Sequence, residues 1–297
     1  MVYLHQILRG CEKVGIEGRL VEIDGEASEA ALVEAIRALN VDPAVNGIIV
    51  QMPLPPTIRL RSVVDAIDPA KDIDGIHPLN AGLLRLGYDG FLPATAHAAV
   101  EILRRSGIEI EGKRATVIGR SAVVGMPAAF LLVRENATVT VCHSRTRDLA
   151  RHVKDAEILV VAAGHPGLVR GDMLRRGVVI VDVGINVVDG AIVGDVDFES
   201  ARRVASAITP VPGGVGPLTN ALLLAHLVRA ALGQEVQVEV AEVVEVAADA
   251  APDAADAPVV AARGPAGSRK TAASTVAVRR VATASPSASR SASRGVR

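Results

Sequence analysis

Up to Gly233, the chain alternates between short apolar runs and longer stretches in which apolar residues recur every three or four positions. The short runs, rich in Val and Ile, predict buried strands, whereas the longer amphipathic stretches predict helices. Strands separated by helices at this pitch predict parallel sheets. The predicted strands are 20–23, 47–50, 115–118, 137–141, 156–162 and 178–183, and the predicted helices are 1–14, 28–39, 61–67, 96–106, 128–135 and 219–232.

The stretch 113–146 reads as one strand–loop–helix–strand unit with small residues in its loop. Gly119, Arg120 and Ser121 follow the first strand, and Gly125 precedes the helix. Such a loop lets a phosphate approach backbone N–H groups at a helix N-terminus, as in dinucleotide-binding folds. The spacing is not a strict GxGxxG, so these residues alone leave an ordinary strand-to-helix turn equally open.

The end of the second strand of this unit favours the dinucleotide interpretation and selects the cofactor. NAD-specific folds usually place an acidic residue there, on the ribose hydroxyls. Here the sequence is Cys-His-Ser-Arg-Thr over 142–146, without an acid. A hydroxyl and cations suit a ribose phosphate, which favours NADP over NAD.

Three other loops follow predicted strands or helices and contain candidate ligand-binding residues. Gln51 is the first polar residue after an apolar strand, and the ligand crevice of an open parallel sheet lies at such strand ends. Asp72 and Asp74 precede Gly75, a pattern that also fits a plain turn. The glycine-rich segment 209–219 cannot form regular structure. For Gln51, the alternative is that its side chain only forms hydrogen bonds with backbone groups of its own loop.

Composition excludes several classes of function. Of 297 residues, 49% are hydrophobic, and 32 Lys and Arg balance 33 Asp and Glu, so no global charge selects nucleic acid or membrane. The absence of Trp and the few Tyr and Phe argue against base stacking. Cys11 and Cys142 have no metal-binding spacing, so no metal site and a reduced, cytoplasmic location are predicted. No signal peptide or membrane span is predicted.

The composition changes after Gly233. Residues 235–256 contain seven acidic and no basic residues, and 257–297 contain eight basic and no acidic ones. This low-complexity composition predicts a disordered tail over 233–297, with short pairing left open in the Val-rich part, 236–246. The basic block leaves open a salt-sensitive association with nucleic acid, although the lack of aromatic residues and the acidic neighbour argue against it.

Taken together, six motifs in order resemble the bifunctional methylenetetrahydrofolate dehydrogenase/cyclohydrolase (FolD-type) family. The resemblance extends from Tyr3 to about Ala231. The motifs are Val-Gln-Met-Pro-Leu-Pro at 50–55, Lys-Asp-Ile-Asp-Gly at 71–75, the loop at 119–127, Cys-His-Ser at 142–144, Asp-Val-Gly-Ile-Asn at 182–186, and the segment 209–219.

The resemblance implies a two-domain α/β fold with the substrate between the domains. Residues 1–93 with 210–232 would form a parallel-sheet folate-binding catalytic domain, 94–209 a Rossmann-type NADP domain, and 233–297 the disordered tail. It implies NADP-dependent oxidation of methylenetetrahydrofolate to methenyltetrahydrofolate in one-carbon metabolism, followed by ring opening to formyltetrahydrofolate. A cytoplasmic homodimer with a small-molecule folate substrate is also implied.

The resemblance also assigns roles to individual residues. The implied catalytic residues are Tyr3, Gln51 and Asp74; the cofactor-binding residues are Gly119, Arg120, Ser121, Ser144 and Ile185; and the folate-binding residues are Val50, Gln51, Met52, Pro212, Gly213 and Gly214.

Three departures from the family pattern bear on activity. Ile7 stands four residues after Tyr3, where the family has the lysine assigned to ring opening, so an impaired cyclohydrolase is predicted. In 93–97, only Pro93 and Thr95 match the family pattern. The family also has several dozen residues before its tyrosine, with a helix and a strand; either the true start lies upstream of Met1 or the domain lacks an element. A nucleotide-binding but inactive remnant is therefore the alternative.

Overall fold

The computed structural model of the chain describes residues 2–24, 27–233 and 274–279. Its strands are β1 (Glu17–Glu22), β2 (Val45–Val50), β3 (Arg114–Ile118), β4 (Thr138–Cys142), β5 (Ile158–Val161), β6 (Val179–Asp182), β7 (Asn186–Val188), β8 (Ala191–Val193), β9 (Ala207–Ile208) and β10 (Ser274–Arg279). Its helices are α1 (Val2–Lys13), α2 (Glu29–Val41), α3 (Leu60–Val64), α4 (Pro78–Leu86), α5 (Ala94–Arg105), α6 (Gly125–Arg134), α7 (Leu149–Asp155), α8 (Phe198–Ala201) and α9 (Val215–Ala231), with a 3-10 turn at Gly171–Met173.

The larger sheet has the order β4-β3-β5-β6-β9, and every neighbouring pair is parallel. Its central strand β5 is buried on both faces, as a parallel sheet covered by helices requires. Ile158 and Val160 pack in one apolar cluster with α5 and α6, whereas Leu159 and Val161 pack in the other with α7. This alternation follows the two-residue period of a strand. The α/β fold and the parallel sheet predicted for this part of the chain are confirmed.

Most predicted elements are present, with shifts of one to four residues at their ends. The helix predicted over 28–39 is α2, and Ser28 caps it, its hydroxyl accepting the N–H of Ala31 at 3.2 Å. The sequence pattern does not predict the helices α4 and α7 or the hairpin β7–β8. α4 follows His77, whose imidazole accepts the N–H of Leu79 at 3.0 Å, and a histidine is an uncommon cap.

The smaller sheet differs from the predicted parallel arrangement. β1 and β2 run in the same direction, but they are not neighbours, because β10 lies between them and is antiparallel to both. The structure thus departs from the predicted disordered tail at Ser274–Arg279. Low-complexity composition says only that a segment cannot bury a core of its own. This segment has three β-branched residues, and two strands supply its backbone partners.

The rest of the tail lies outside the described residues. These include the Val-rich stretch 236–246 and nearly all of the charge blocks on which the nucleic-acid alternative rests. The predicted domain boundaries at 93–94 and 209–210 remain predictions.

We expect a disulfide to join β1 and β10 when Arg19 and Ala277 are both replaced by cysteine. The two residues are directly paired. Directly opposed residues in antiparallel strands have Cα atoms about 4.5–5.5 Å apart, within the roughly 4.4–6.8 Å that a disulfide spans. Mild oxidation should therefore cross-link a single chain, detected by non-reducing electrophoresis and peptide mass mapping.

The matched control is Arg19→Cys with Val276→Cys, which is one residue out of register. Equal cross-linking of the two pairs, cross-linking of neither, or a cross-link only between two chains would contradict the position of β10.

Candidate active site

The loop after β3 is built from two close backbone approaches. Gly119 has a φ of 123°, and a side chain there would collide with the carbonyl of Ala162, just beyond β5. A side chain at Gly125, the first residue of α6, would collide with the carbonyl of Gly119. Both positions therefore require glycine, and α6 begins directly against the end of β3, as in dinucleotide-binding loops.

Ser121 holds the first turn of α6 in place. Its hydroxyl oxygen accepts the N–H groups of Val124 at 3.1 Å and Gly125 at 3.2 Å. The hydroxyl proton remains available to donate to an anion. Since the N-terminus of a helix favours negative charge, this geometry suits the predicted pyrophosphate side of the cofactor.

Arg120 and Ser144 lie at the same edge of the larger sheet. Ile118 and Cys142 are paired in register, and each of the two predicted residues follows its strand by two positions. Both side chains are exposed, and Arg120 forms no ion pair or hydrogen bond with other described residues. The turn at 143–146 contains no acid. A free guanidinium and a hydroxyl at this edge form a suitable site for a phosphate dianion.

The end of β6 presents an apolar surface at the same edge. Ile185 is 66% exposed, although its neighbour Gly184 is buried. Asp182 fixes this segment, since its Oδ1 accepts the N–H of Gly184 at 3.0 Å. Burial is the main cause that raises the pKa of Asp182 above its usual value. Ile185 thus has the exposure expected of a residue that contacts a cofactor ring.

On the folate side, Gln51 has an unsatisfied acceptor. Its Nε2 donates to the carbonyl of Met52 at 3.0 Å, whereas its buried Oε1 has no hydrogen-bond partner in the described part of the chain. Buried polar atoms without partners are rare, so this oxygen is available to accept a hydrogen bond from a bound molecule. The side chain of Val50, by contrast, is buried in the cluster around α2, so only its backbone is placed to meet a ligand.

The two aspartates of the 72–75 turn have different tasks. Asp72 is fully buried and accepts three hydrogen bonds, from the N–H groups of Ile76 and His77 and from the amide of Asn80, at 3.1, 2.7 and 2.8 Å. It therefore stabilises the turn. Burial, and then the charge of Asp72, raises the pKa of Asp74 to about 7. A carboxyl with this pKa can hold or release a proton at neutral pH.

The glycine-rich loop leads into α9. Pro212 and Gly213 are exposed, and Gly213 has a φ of 107°, a conformation that favours glycine. A side chain at Gly214 would lie 2.6 Å from the carbonyl oxygen of Pro210. The loop therefore offers bare backbone to a ligand.

Helix α9 also reaches the aspartate turn. The Nδ1 atom of His226 lies 2.8 Å from the carbonyl oxygen of Ile73, next to Asp74. Burial lowers the pKa of His226 to about 4, so the ring is neutral and donates this hydrogen bond. On the same helix, the buried Oδ1 of Asn220 has no described partner, and no sequence motif marked it as a ligand-binding atom.

Ile7 is a core residue. It is 3% exposed and belongs to an apolar cluster with Ile49 and Ile73, which adjoin Val50 and Asp74 in the chain. Tyr3 lies one turn earlier in α1. The position that carries the family's lysine is thus filled by an apolar side chain, which packs in a cluster with the chain neighbours of both folate-side motifs.

Within the described residues, no cluster of His, Cys, Asp and Glu is arranged to hold a metal ion, and no helix has the length and hydrophobicity to cross a membrane. Cys11 and Cys142 are buried free thiols.

The parallel order of the larger sheet, the glycine-limited loop against a helix N-terminus and the buried amide oxygen of Gln51 without a described partner are features of a dinucleotide-dependent enzyme of the dehydrogenase class. Residues 93–235 match the NAD(P)-binding domain, and residues 1–74 the catalytic domain, of the tetrahydrofolate dehydrogenase/cyclohydrolase family. The chain belongs to this family. The predicted family and the enzyme class are confirmed.

Relatives agree along most of the chain. The bifunctional protein FolD of Roseiflexus sp. (strain RS-1) is 51% identical over 233 residues, which cover 78% of this chain and 81% of the relative. Among solved structures, the Campylobacter jejuni FolD is 43% identical, with a TM-score of 0.76 over 79% of this chain and 84% of that one. The Trypanosoma brucei FolD, complexed with NADP and an inhibitor, is 40% identical, with a TM-score of 0.74 over 77% and 81%.

We expect Asp74→Asn to gain stability relative to the wild type as the pH rises from 5 to 7.5. The folded-state pKa of Asp74 is raised to about 7. Between its unfolded pKa of about 4 and that value, the folded chain holds a proton that the unfolded chain releases, so this carboxyl lowers stability with rising pH. Asparagine cannot ionise. The measurement is urea unfolding of both proteins at the two pH values.

Asp155→Asn, at an exposed carboxyl, is the control and should show no such gain. A constant difference between Asp74→Asn and the wild type at both pH values would contradict the raised pKa.

Proposed function

We propose that the chain oxidises methylenetetrahydrofolate to methenyltetrahydrofolate with NADP. The observation that carries the proposal is the arrangement of Arg120 and Ser144 beside the glycine-limited loop, at the edge toward which Ile185 is exposed. NADP, when bound, accepts the hydride from the methylene carbon of the folate. The protein contributes position and orientation, which convert a two-molecule encounter into a reaction within one complex.

Each side of the proposed site has a defined task. Arg120 and Ser144 bind the 2′-phosphate, Gly119 and Ser121 approach the pyrophosphate, and Ile185 packs against the nicotinamide half. On the folate side, the unpaired Oε1 of Gln51 accepts an N–H of the substrate, and Asp74 holds the pterin ring. Met52 and the loop containing Pro212, Gly213 and Gly214 complete the folate contacts.

Mixing the purified chain with methylenetetrahydrofolate and NADP tests the activity. Absorbance of NADPH should rise together with that of methenyltetrahydrofolate, in equal amounts. Gln51→Ala should weaken folate binding, since it removes the acceptor, while NADP binding stays unchanged. If NADPH does not form faster than in buffer, the chain is the inactive alternative.

Arg120→Ala should weaken the use of NADP far more than the use of NAD. Hydrogen bonds to charged groups contribute about 1.5–3 kcal/mol, which corresponds to a loss on the order of ten- to a hundredfold in kcat/KM for NADP. The value for NAD should change less than about twofold, since NAD has no 2′-phosphate. Arg134→Ala, at an exposed arginine in the last turn of α6, is the control. Equal losses for both cofactors would refute the assignment of Arg120.

We further propose that ring opening of the methenyl product is slow. General acid–base groups contribute roughly a hundred- to ten-thousandfold in rate, and Ile7 cannot transfer a proton. Decay of methenyltetrahydrofolate should therefore proceed at nearly the buffer rate with the wild type. Ile7→Lys should accelerate it and Ile7→Met should not, because a lysine stem can lie along apolar surface while its amine reaches the site. Rapid hydrolysis by the wild type would contradict the proposal.

The remaining family expectations are also proposals. We propose a homodimer, for which light scattering should give about twice the chain mass of 30.7 kDa. A cytoplasmic location remains a prediction that rests on the pattern of cysteine usage.

A further inference from the structure

The carboxylate of Asp195 accepts four hydrogen bonds at the edge of the larger sheet where β5 and β6 end. Its side chain is fully buried. Its Oδ2 accepts the N–H groups of Ala163 at 2.6 Å and Gly164 at 2.8 Å, and its Oδ1 accepts the N–H of His165 and the side-chain amide of Asn186, both at 2.8 Å. One carboxylate thus satisfies four neutral donors.

These donors come from two loops that leave neighbouring strands. The segment 163–165 follows β5, and Asn186 opens β7 just after the end of β6. Since Val161 and Asp182 are paired in register, both loops begin at the same edge of the sheet. Asp195 therefore fastens the loop after β5 to the segment that contains Ile185.

Asp195 is itself held in place from the sheet. Asp182 accepts the N–H of Asp195 at 3.0 Å and that of Val196 at 2.9 Å. A side chain at Gly184 would collide with the carboxylate of Asp195, and one at Gly194 would collide with that of Asp182. The two glycines allow the two carboxylates to lie this close to the backbone, so the position of Asp195 is fixed before any ligand arrives.

The three consecutive N–H groups at 163–165 converge on one point, a geometry that binds anions. Because the carboxylate of Asp195 already occupies this position, these N–H groups cannot bind a cofactor phosphate. The N-terminus of α6 remains as the phosphate-binding position. Ile185 is exposed between two residues that are held by hydrogen bonds, Gly184 by Asp182 and Asn186 by Asp195.

We propose that Asp195 is a positioning residue for the nicotinamide half of the cofactor site: it closes the anion-binding loop after β5 and holds Ile185 against the nicotinamide. This inference rests on the proposed use of NADP. It applies to one half of the cofactor, because Arg120 and Ser144, which bind the 2′-phosphate, follow β3 and β4 and are not among the described hydrogen-bond partners of Asp195.

The test is calorimetric binding of two ligands to Asp195→Asn. Asparagine has the same size, but its NH₂ group must face N–H donors on one side. NADP should bind about tenfold more weakly, the effect of leaving buried donors unpaired. The probe 2′,5′-ADP, which contains the adenosine and the 2′-phosphate but no nicotinamide, should bind within about twofold of the wild type. A merely structural role would weaken both ligands together.

Two further variants keep the result interpretable. Asn186→Ala removes one of the four donors and should weaken NADP in the same direction by a smaller factor. Asp197→Asn changes a carboxylate two residues away that caps α8 through the N–H of Ser200, and it should leave both ligands unaffected.

Wild-type affinity of Asp195→Asn for NADP would overturn the inference, as would an equal loss for both ligands. If the wild type binds neither NADP nor 2′,5′-ADP, the proposed cofactor is wrong and the inference falls with it.

Discussion

Buried aspartates that accept hydrogen bonds from backbone N–H groups hold together the loops at the edge of the larger sheet where β5 and β6 end. Where parallel strands end, the following loops lose their ladder partners, and their buried N–H groups need other acceptors. Asp182 and Asp195 supply acceptors for seven hydrogen bonds at the ends of β5 and β6. Each unsatisfied buried donor would cost roughly 1–3 kcal/mol, so the loops depend on these two side chains.

The same device recurs on the folate side, where Asp72 satisfies the turn that presents Asp74. In both places a buried aspartate stabilises the loop through hydrogen bonds, and a neighbouring residue remains available for the reaction. Ile185 is exposed beside the Asp182–Asp195 group, and the pKa of Asp74 is raised beside Asp72. Catalysis by positioning requires rigid loops that keep some side chains free to contact the reactants.

The local patterns in the sequence predict the larger sheet well. The apolar runs that become β3, β5 and β6 are short and rich in β-branched residues, and the glycines of the loop after β3 mark close backbone approaches. The absence of an acid after β4 is also visible in the sequence. These features depend on residues within one strand–helix unit, so local pattern is sufficient to find them.

Features that depend on distant residues could not be read in this way. Asp195 accepts N–H groups some thirty positions earlier in the chain, and no local pattern links it to the segment 163–165. Of the two aspartates in the 72–75 turn, the sequence does not show that Asp72 is the structural one. β10 was hidden by its low-complexity surroundings, because its partners β1 and β2 are more than two hundred residues away. The sequence shows that Ile7 replaces the family's lysine, but not that its side chain packs in a cluster with Ile49 and Ile73.

The most direct test of the account is a crystal structure of the chain with NADP bound. It should show the 2′-phosphate between Arg120 and Ser144, the pyrophosphate at the N-terminus of α6, and the nicotinamide against Ile185. The carboxylate of Asp195 should still accept the N–H groups of 163–165. A cofactor phosphate in place of that carboxylate, or a 2′-phosphate bound away from Arg120 and Ser144, would contradict it.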